Sequence, residues 1–147
     1  MAGHLIRRLN QISSQLFARR MAEHGIDLTP VQFAAMDAIV TDPGIDQAGI
    51  ATRIAYDRAT IGGVIDRLEQ KGLVERRVSA RDRRAREVRP TPAGQALFDR
   101  ILPIVAGFQN DILAGLDAGE RRQFQDLARR VIHAAEGADL PEETPSD

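Results

Sequence analysis

The sequence predicts a mainly α fold carrying one small β wing, and three observations predict it. Apolar residues recur at three- and four-residue spacing in several segments, most of them opened by a capping residue. Two of those segments are short, adjacent and joined by a tight link. A basic pair of β-compatible runs follows them directly, between Leu73 and Arg89. The chain has 147 residues, the length of one ordinary domain, and 43% apolar residues suffice for a core.

The first helix is expected over about Gly3 to His24, where Leu5, Leu9, Ile12 and Leu16 form a stripe with Ile6, Phe17 and Met21 beside them. Gly25 stops it. Thr29-Pro30 then reads as an N-cap followed by proline at the first helical position, and Gln32 completes a capping box. The helix so opened, Pro30 to Val40, is apolar on most sides and should be buried. Asp42-Pro43-Gly44 is a turn.

Asp46 caps a third helix to about Ala55, with Ala48, Ile50, Ala51 and Ile54 facing inward. Asp57 caps a fourth, Arg58 to Lys71, with Ile61, Val64, Ile65 and Leu68 inward and Gly72 as its stop. This pair is a helix-turn-helix arrangement. The runs Leu73–Val78 and Ala85–Arg89 then form a hairpin around a polar tip, Ser79 to Arg84. Thr91-Pro92 opens a long helix to about Leu116, which Pro103 should interrupt and kink. Asp117 with Glu120 caps a last helix bearing Phe124, Leu127, Val131 and Ile132. The acidic, proline-bearing segment 138–147 is expected to be a disordered tail.

The net charge of −1 conceals a local excess: from Leu73 to Pro90 there are seven arginines against three acids, so the remainder is acidic. The chain has no cysteine, which excludes thiol chemistry and Cys-ligated zinc, and its three histidines are scattered, so no metal and no cofactor is expected. No apolar run approaches the roughly 20 residues of a membrane span, and the N-terminus carries no secretory signal, so a cytoplasmic protein is expected. No G-x-G-x-x-G, P-loop or H-E-x-x-H is present, and no serine has a histidine partner by pattern, although a triad is a matter of geometry rather than spacing. An enzyme is not expected.

The helix-turn-helix and hairpin together point to double-stranded DNA, with the Arg58–Lys71 helix in the major groove and the hairpin arginines near phosphates or in the minor groove. The bland alternative is two core helices and a solvated basic hairpin. The order helix, turn, capped helix, glycine stop, basic hairpin favours the first reading. Candidate DNA-binding residues are Arg58, Ala59, Thr60, Gly63 and Arg67 on the helix, and Arg81, Arg83, Arg84 and Arg86 on the wing. Asp57 is read as a cap, since a carboxylate facing phosphates repels them.

The stretch DRATIGGVIDRLEQKGLVERRVSARDRRAREVRPTPAG, Asp57 to Gly94, resembles the MarR family pattern: a recognition helix ending in D-R-L-E-x-K-G-L-V, a D-x-R wing tip, then T-x-x-G opening the long helix. The resemblance extends from about Leu5 to Ala135. It implies a winged helix-turn-helix regulator, with residues 1–137 as a single domain, about 30–90 reading DNA, and helices in 1–28 and 92–137 forming the dimerisation region. It also implies a homodimer on a pseudo-palindromic operator, repressing until a small ligand or oxidant releases it. Residue by residue, Asp82 matches the wing aspartate, Arg84 the minor-groove arginine, and Asp66-Arg67 the D-R of the recognition helix. Gly62-Gly63 departs from the pattern, either letting the helix backbone approach DNA closely or being merely tolerated at about 1 kcal/mol each.

The opening HLIRRLNQISSQLF and the AYDRATIGG segment resemble a branch of the family that senses aromatic or heteroaromatic acids. In the first helix His4 and Arg8 are one turn apart, with Gln11 and Arg7 nearby, and the second helix offers Phe33, Met36 and Asp37. His4, Arg8, Gln11, Phe33 and Met36 are therefore the candidate site for a small anionic aromatic ligand. The alternative is that His4 and Arg8 are ordinary solvated side chains. A different class of function, a helical protein-interaction adaptor that kept the winged fold, stays open beside DNA reading.

Overall fold

The computed structural model describes residues 1–138, so all of the expected acidic tail after Ala138 lies outside the described residues. Among the described residues the order is α1 (Ala2–Glu23), α2 (Pro30–Thr41), α3 (Gln47–Arg53), α4 (Arg58–Gln70), β1 (Val74–Val78), β2 (Arg86–Pro90), α5 (Pro92–Ile112) and α6 (Ala118–Ala138). Two compact units are present, Met1–Phe108 and a second from Gln109 on.

In the first unit, the apolar period of α4 drives the core. Ile61, Val64, Ile65 and Leu68 are all buried, as are Ala35, Met36 and Ile39 of α2 and Ile50 of α3, the two helices that α4 packs on. Each of these helices starts where a side chain supplies the missing partner for an orphan amide. Thr29 Oγ1 accepts from the Gln32 amide while Gln32 Oε1 accepts from the Thr29 amide. Asp46 Oδ1 accepts from Gly49 at 2.7 Å, and Asp57 Oδ1 from Thr60 at 2.7 Å. At the start of α5, Thr91 Oγ1 accepts from Gly94 at 3.0 Å.

The C-termini follow one device, with one deviation. After α1 and α4 the chain turns through a left-handed glycine, Gly25 (φ 64°) or Gly72 (φ 73°), while the next amide reaches back to the last turn, Ile26 to the Met21 carbonyl and Leu73 to the Leu68 carbonyl. After α3 the same pair of bonds forms, Ala55 to Thr52 and Tyr56 to Ala51, but the left-handed residue is Ala55 (φ 58°). This left-handed turn ends α3 at Arg53, two residues before the expected end. A Cβ in that conformation crowds the following carbonyl, at a cost of about 1–2 kcal/mol. Ala55 is exposed and loses no packing on truncation. Ala55→Gly should therefore stabilise the fold by about 1 kcal/mol, measured as a higher denaturant midpoint at unchanged m-value; an equal or lower midpoint would refute the strain.

β1 and β2 pair antiparallel with Val74 opposite Pro90, Arg76 opposite Val88 and Val78 opposite Arg86. Val74 and Val88 thus share the face turned to the core, where both are buried. Glu75, Arg77, Glu87 and Arg89 occupy the other face, with Glu75 opposite Arg89 and Arg77 opposite Glu87. A third extended piece joins this sheet: the Gly44 amide donates to the Val88 carbonyl and the Val88 amide to the Ile45 carbonyl, both at 2.9 Å, and Asp46 bridges to Glu87.

α1 shows the expected stripe but buries only its end, Phe17 and Met21; Leu5 and Ile6 are about 60% exposed in the single chain. Phe17 packs against Phe33 of α2 (5.9 Å between centroids) and Phe108 of α5 (6.2 Å), and Phe33 stacks on Phe98 (5.8 Å). α5 passes through Pro103 as one helix rather than being interrupted there, and ends at Ile112, four residues before Leu116. It stops because residues 113–115 turn, with Gly115 left-handed (φ 98°).

In the second unit, Asp117 and Glu120 form the expected reciprocal cap on α6, each carboxylate accepting from the other's amide at 2.9 and 3.0 Å. The Glu120 amide holds the Asp117 carboxyl below the usual carboxylate range. None of the apolar stripe of α6 is buried; Val131 is 64% exposed and Leu127 48%.

Candidate nucleic-acid interface

The N-terminal turn of α4 is exposed. Arg58, Ala59 and Thr60 all face solvent, and so do Gly63 and Arg67 further along. Ala59, Gly63 and Arg67 are spaced by four, which places them in one outward row. A Cβ added at Gly63 would meet nothing within 4 Å. No protein neighbour therefore demands glycine there. Gly62 differs, because its Cβ would stand 3.3 Å from Nε2 of Gln47.

Asp57 does not point a free charge at the approach to this helix. Its carboxylate accepts the Thr60 amide and, at 2.8 Å, the Thr60 hydroxyl, and these bonds lower its pKa.

The hairpin tip is built by two short side chains. Ser79 is buried, and its Oγ accepts from the amides of Arg81 (3.2 Å) and Asp82 (3.3 Å). Asp82 Oδ1 accepts from the Arg84 amide at 2.9 Å. Asp82 thus shapes the turn that presents Arg84. Arg81, Arg83, Arg84 and Arg86 are exposed, and none of them has an ion-pair partner among the described residues. The other three hairpin arginines are committed: Arg77 pairs with Glu75 (2.9 Å), Arg89 with Glu87 (3.8 Å), and Arg76 with Glu69 and Asp66 of α4. The hairpin therefore divides into structural arginines within its strands (Arg76, Arg77 and Arg89) and available ones at its tip and at the first residue of β2 (Arg81, Arg83, Arg84 and Arg86).

Between the start of α4 and the wing lies an open groove of about 560 Å³, with Arg58, Arg84 and Arg86 on its walls alongside Gln47 and Asp82. A second groove of about 540 Å³ runs on the other side of α4, past Thr60, Gly63, Arg67 and Lys71. Lys71, the sole lysine, closes that side by donating to the Asp27 carbonyl (2.7 Å) and Gln32 Oε1 (3.0 Å).

Sequence reasoning missed four of these positions: Gln47, Ser79, and the anchoring roles of Lys71 and Arg76. Ser79 had a local signal, a hydroxyl two residues before an amide to be held. Arg76 had a weaker one, as the single charged residue on the inward face of β1 between Val74 and Val78.

The ligand candidates fall into two groups. His4, Arg8 and Gln11 share an exposed face of α1, where Arg8 donates to Gln11 Oε1 at 2.6 Å. Phe33 is half-buried in the aromatic cluster, and Met36 is 1% exposed in the core. Arg8 lies nine residues before Phe17, about half a helical turn away in direction. Phe17 is the residue of α1 that meets Phe33. The structure does not bring the two groups together within one chain.

A MarR family model matches residues 26–85. The HTH-type transcriptional repressor NicR of Pseudomonas putida is 32% identical over 136 residues, covering 92% of this chain and 85% of that protein. The PcaV transcriptional regulator of Streptomyces coelicolor, in complex with its natural ligand, superposes with a TM-score of 0.82 at 36% identity, covering 90% and 92% of the two chains. BpsR of Bordetella bronchiseptica, whose DNA binding is regulated by 6-hydroxynicotinic acid, superposes with a TM-score of 0.83 at 28% identity, covering 96% and 95%. No helix among the described residues is long and apolar enough to cross a membrane. Capped recognition helix, basic wing and these relatives agree: the chain belongs to the MarR family, a family of DNA-binding transcriptional regulators and not of enzymes.

Proposed function

We propose that the chain is a homodimeric repressor that reads a pseudo-palindromic operator and is released by a small anionic aromatic or heteroaromatic acid. The observation that carries the reading is the placing of Arg58, at the exposed start of α4, across one groove from Arg84 and Arg86 of the wing. Like Arg81 and Arg83, these two are exposed and have no ion-pair partner among the described residues. Arg58, Ala59 and Thr60 would meet base edges in the major groove, and Arg81, Arg83, Arg84 and Arg86 the phosphates and minor groove. Residues 1–137 act as one functional domain, about 30–90 reading DNA and the helices of 1–28 and 92–137 dimerising. What supports dimerisation is the exposed apolar surface of α1 (Leu5, Ile6, Ile12) and, in its own unit, of α6 (Phe124, Leu127, Val131, Ile132).

PcaV, solved with its natural ligand, supports a small-molecule effector, and BpsR, whose DNA binding is regulated by 6-hydroxynicotinic acid, supports an acid. His4 and Arg8 offer donors to a carboxylate, and Phe33 an aromatic wall. For both to touch one ligand, α1 of one protomer has to lie beside the aromatic cluster of the other. The test is to titrate 6-hydroxynicotinate into the DNA complex of wild type and of Arg8→Ala. Release of wild type is expected, with about tenfold more acid needed for the variant, the size of an ordinary coupling. No release in either would overturn acid control, and equal release in both would remove Arg8 from the site.

A further inference from the structure

Two carboxylates stand on the helix that faces DNA. Asp66 and Glu69 of α4 are 55% and 45% exposed, and by charge alone each should weaken binding to a polyanion. Both are held by one side chain. Arg76 leaves the inward face of β1 opposite Val88 and is only 17% exposed. It donates to both Glu69 oxygens, through Nε (3.4 Å) and a terminal nitrogen (3.3 Å), and to Asp66 Oδ1. Its remaining nitrogen donates to Gln47 Oε1 of α3 at 3.3 Å. Glu69 first, then Asp66, raise the pKa of Arg76, as expected for a cation satisfied on several sides.

One guanidinium thus ties β1 to both helices of the helix-turn-helix. At its base the wing is also held by the short Lys71–Gly72–Leu73 turn and by the Gly44 and Ile45 bonds to Val88, whereas its tip has no ion-pair partner on the helix among the described residues. Gly62 fits the same arrangement, since a Cβ there would press at 3.3 Å on Nε2 of Gln47, the side chain that Arg76 engages. We propose that Asp66 and Glu69 are positioning residues for DNA reading: through Arg76 they clasp the wing at a fixed angle to the recognition helix, and they touch no DNA themselves. The clasp sets the distance between Arg58 and Arg84, the two walls of the groove, so both grooves of a duplex are reached at once.

This inference rests on α4 and the wing reading DNA together, and its test turns on a sign. Removing two acids from a DNA-facing helix tightens binding if only charge matters; if the acids position the wing, it loosens specific binding. A duplex selected by wild type from a randomised pool, and a random-sequence duplex, serve as probes. Asp66→Ala/Glu69→Ala is expected to bind the selected duplex about tenfold more weakly while binding the random duplex no less tightly, at a melting temperature close to wild type. Asp66→Glu, which keeps the ion pair, should stay near wild type on both. Tighter binding of the double variant to the selected duplex, or equal loss on both duplexes, would overturn the clasp. Failure of wild type itself to select any duplex would instead bring down the operator reading, and the clasp with it.

Discussion

Gly94→Ala is expected to destabilise the protein by about 3 kcal/mol or more, a large fraction of the roughly 5–15 kcal/mol that holds a domain folded. A Cβ at Gly94 would stand 1.9 Å from the Leu73 carbonyl oxygen and 2.8 Å from its carbon. No rotamer change relieves this, because the obstacle is backbone. Nor can the backbone retreat cheaply. The same Leu73 carbonyl accepts the Thr91 amide (3.1 Å), and the Thr91 hydroxyl donates to the neighbouring Gly72 carbonyl at 2.6 Å. The start of α5 is thereby bolted onto the end of α4, with Gly94 as the washer. Denaturant unfolding should show the loss as a lower midpoint, and melting of the hairpin register should accompany it. A midpoint within about 0.5 kcal/mol of wild type, the range of an ordinary surface change, would mean the two segments do not meet as described.

Replacing Arg81, Arg83, Arg84 and Arg86 together by glutamine is expected to cost about a thousandfold in duplex DNA affinity at low salt. Each arginine that displaces a counterion from DNA contributes about one unit to the slope of log affinity against log salt, so the slope should flatten by up to four units per protomer. Folding should be untouched, because all four side chains are exposed and unpaired among the described residues. Ser79 and Asp82, which shape the tip, remain in place. The measurement is a salt titration of binding, with thermal melting as the control. Unchanged affinity and slope would take the wing out of the interface and favour an adaptor that kept the fold without reading DNA.

What was legible in the sequence was mostly local. Thr29, Asp46, Asp57, Thr91 and Asp117 cap helices through partners three residues on, a spacing visible in one dimension. The inward stripe of α4 was legible for the same reason. Ala55 was not, because nothing in an alanine announces a left-handed backbone; only the bonds around it impose that conformation. The seven hairpin arginines look alike in sequence, and the acids that claim three of them come partly from α4. The ligand candidates show a subtler gap. Helical period alone places Arg8 opposite Phe17 on α1, but which face meets α2 depends on the Phe17–Phe33 contact, which no local pattern specifies.

The short extended piece at Gly44 and Ile45 has a mechanical consequence. Its two hydrogen bonds to Val88 join positions more than forty residues apart and enclose α3, α4 and β1 in a closed circuit of chain. The Val88 amide can exchange with solvent only when that circuit opens, which requires the start of α3 and the return strand of the wing to part together. Opening therefore belongs to the whole head and not to its tip, and the slowest-exchanging amides should include Val88 alongside those of α4. A head closed in this way moves as a block: whatever turns the α2–α3 connection turns the wing with it.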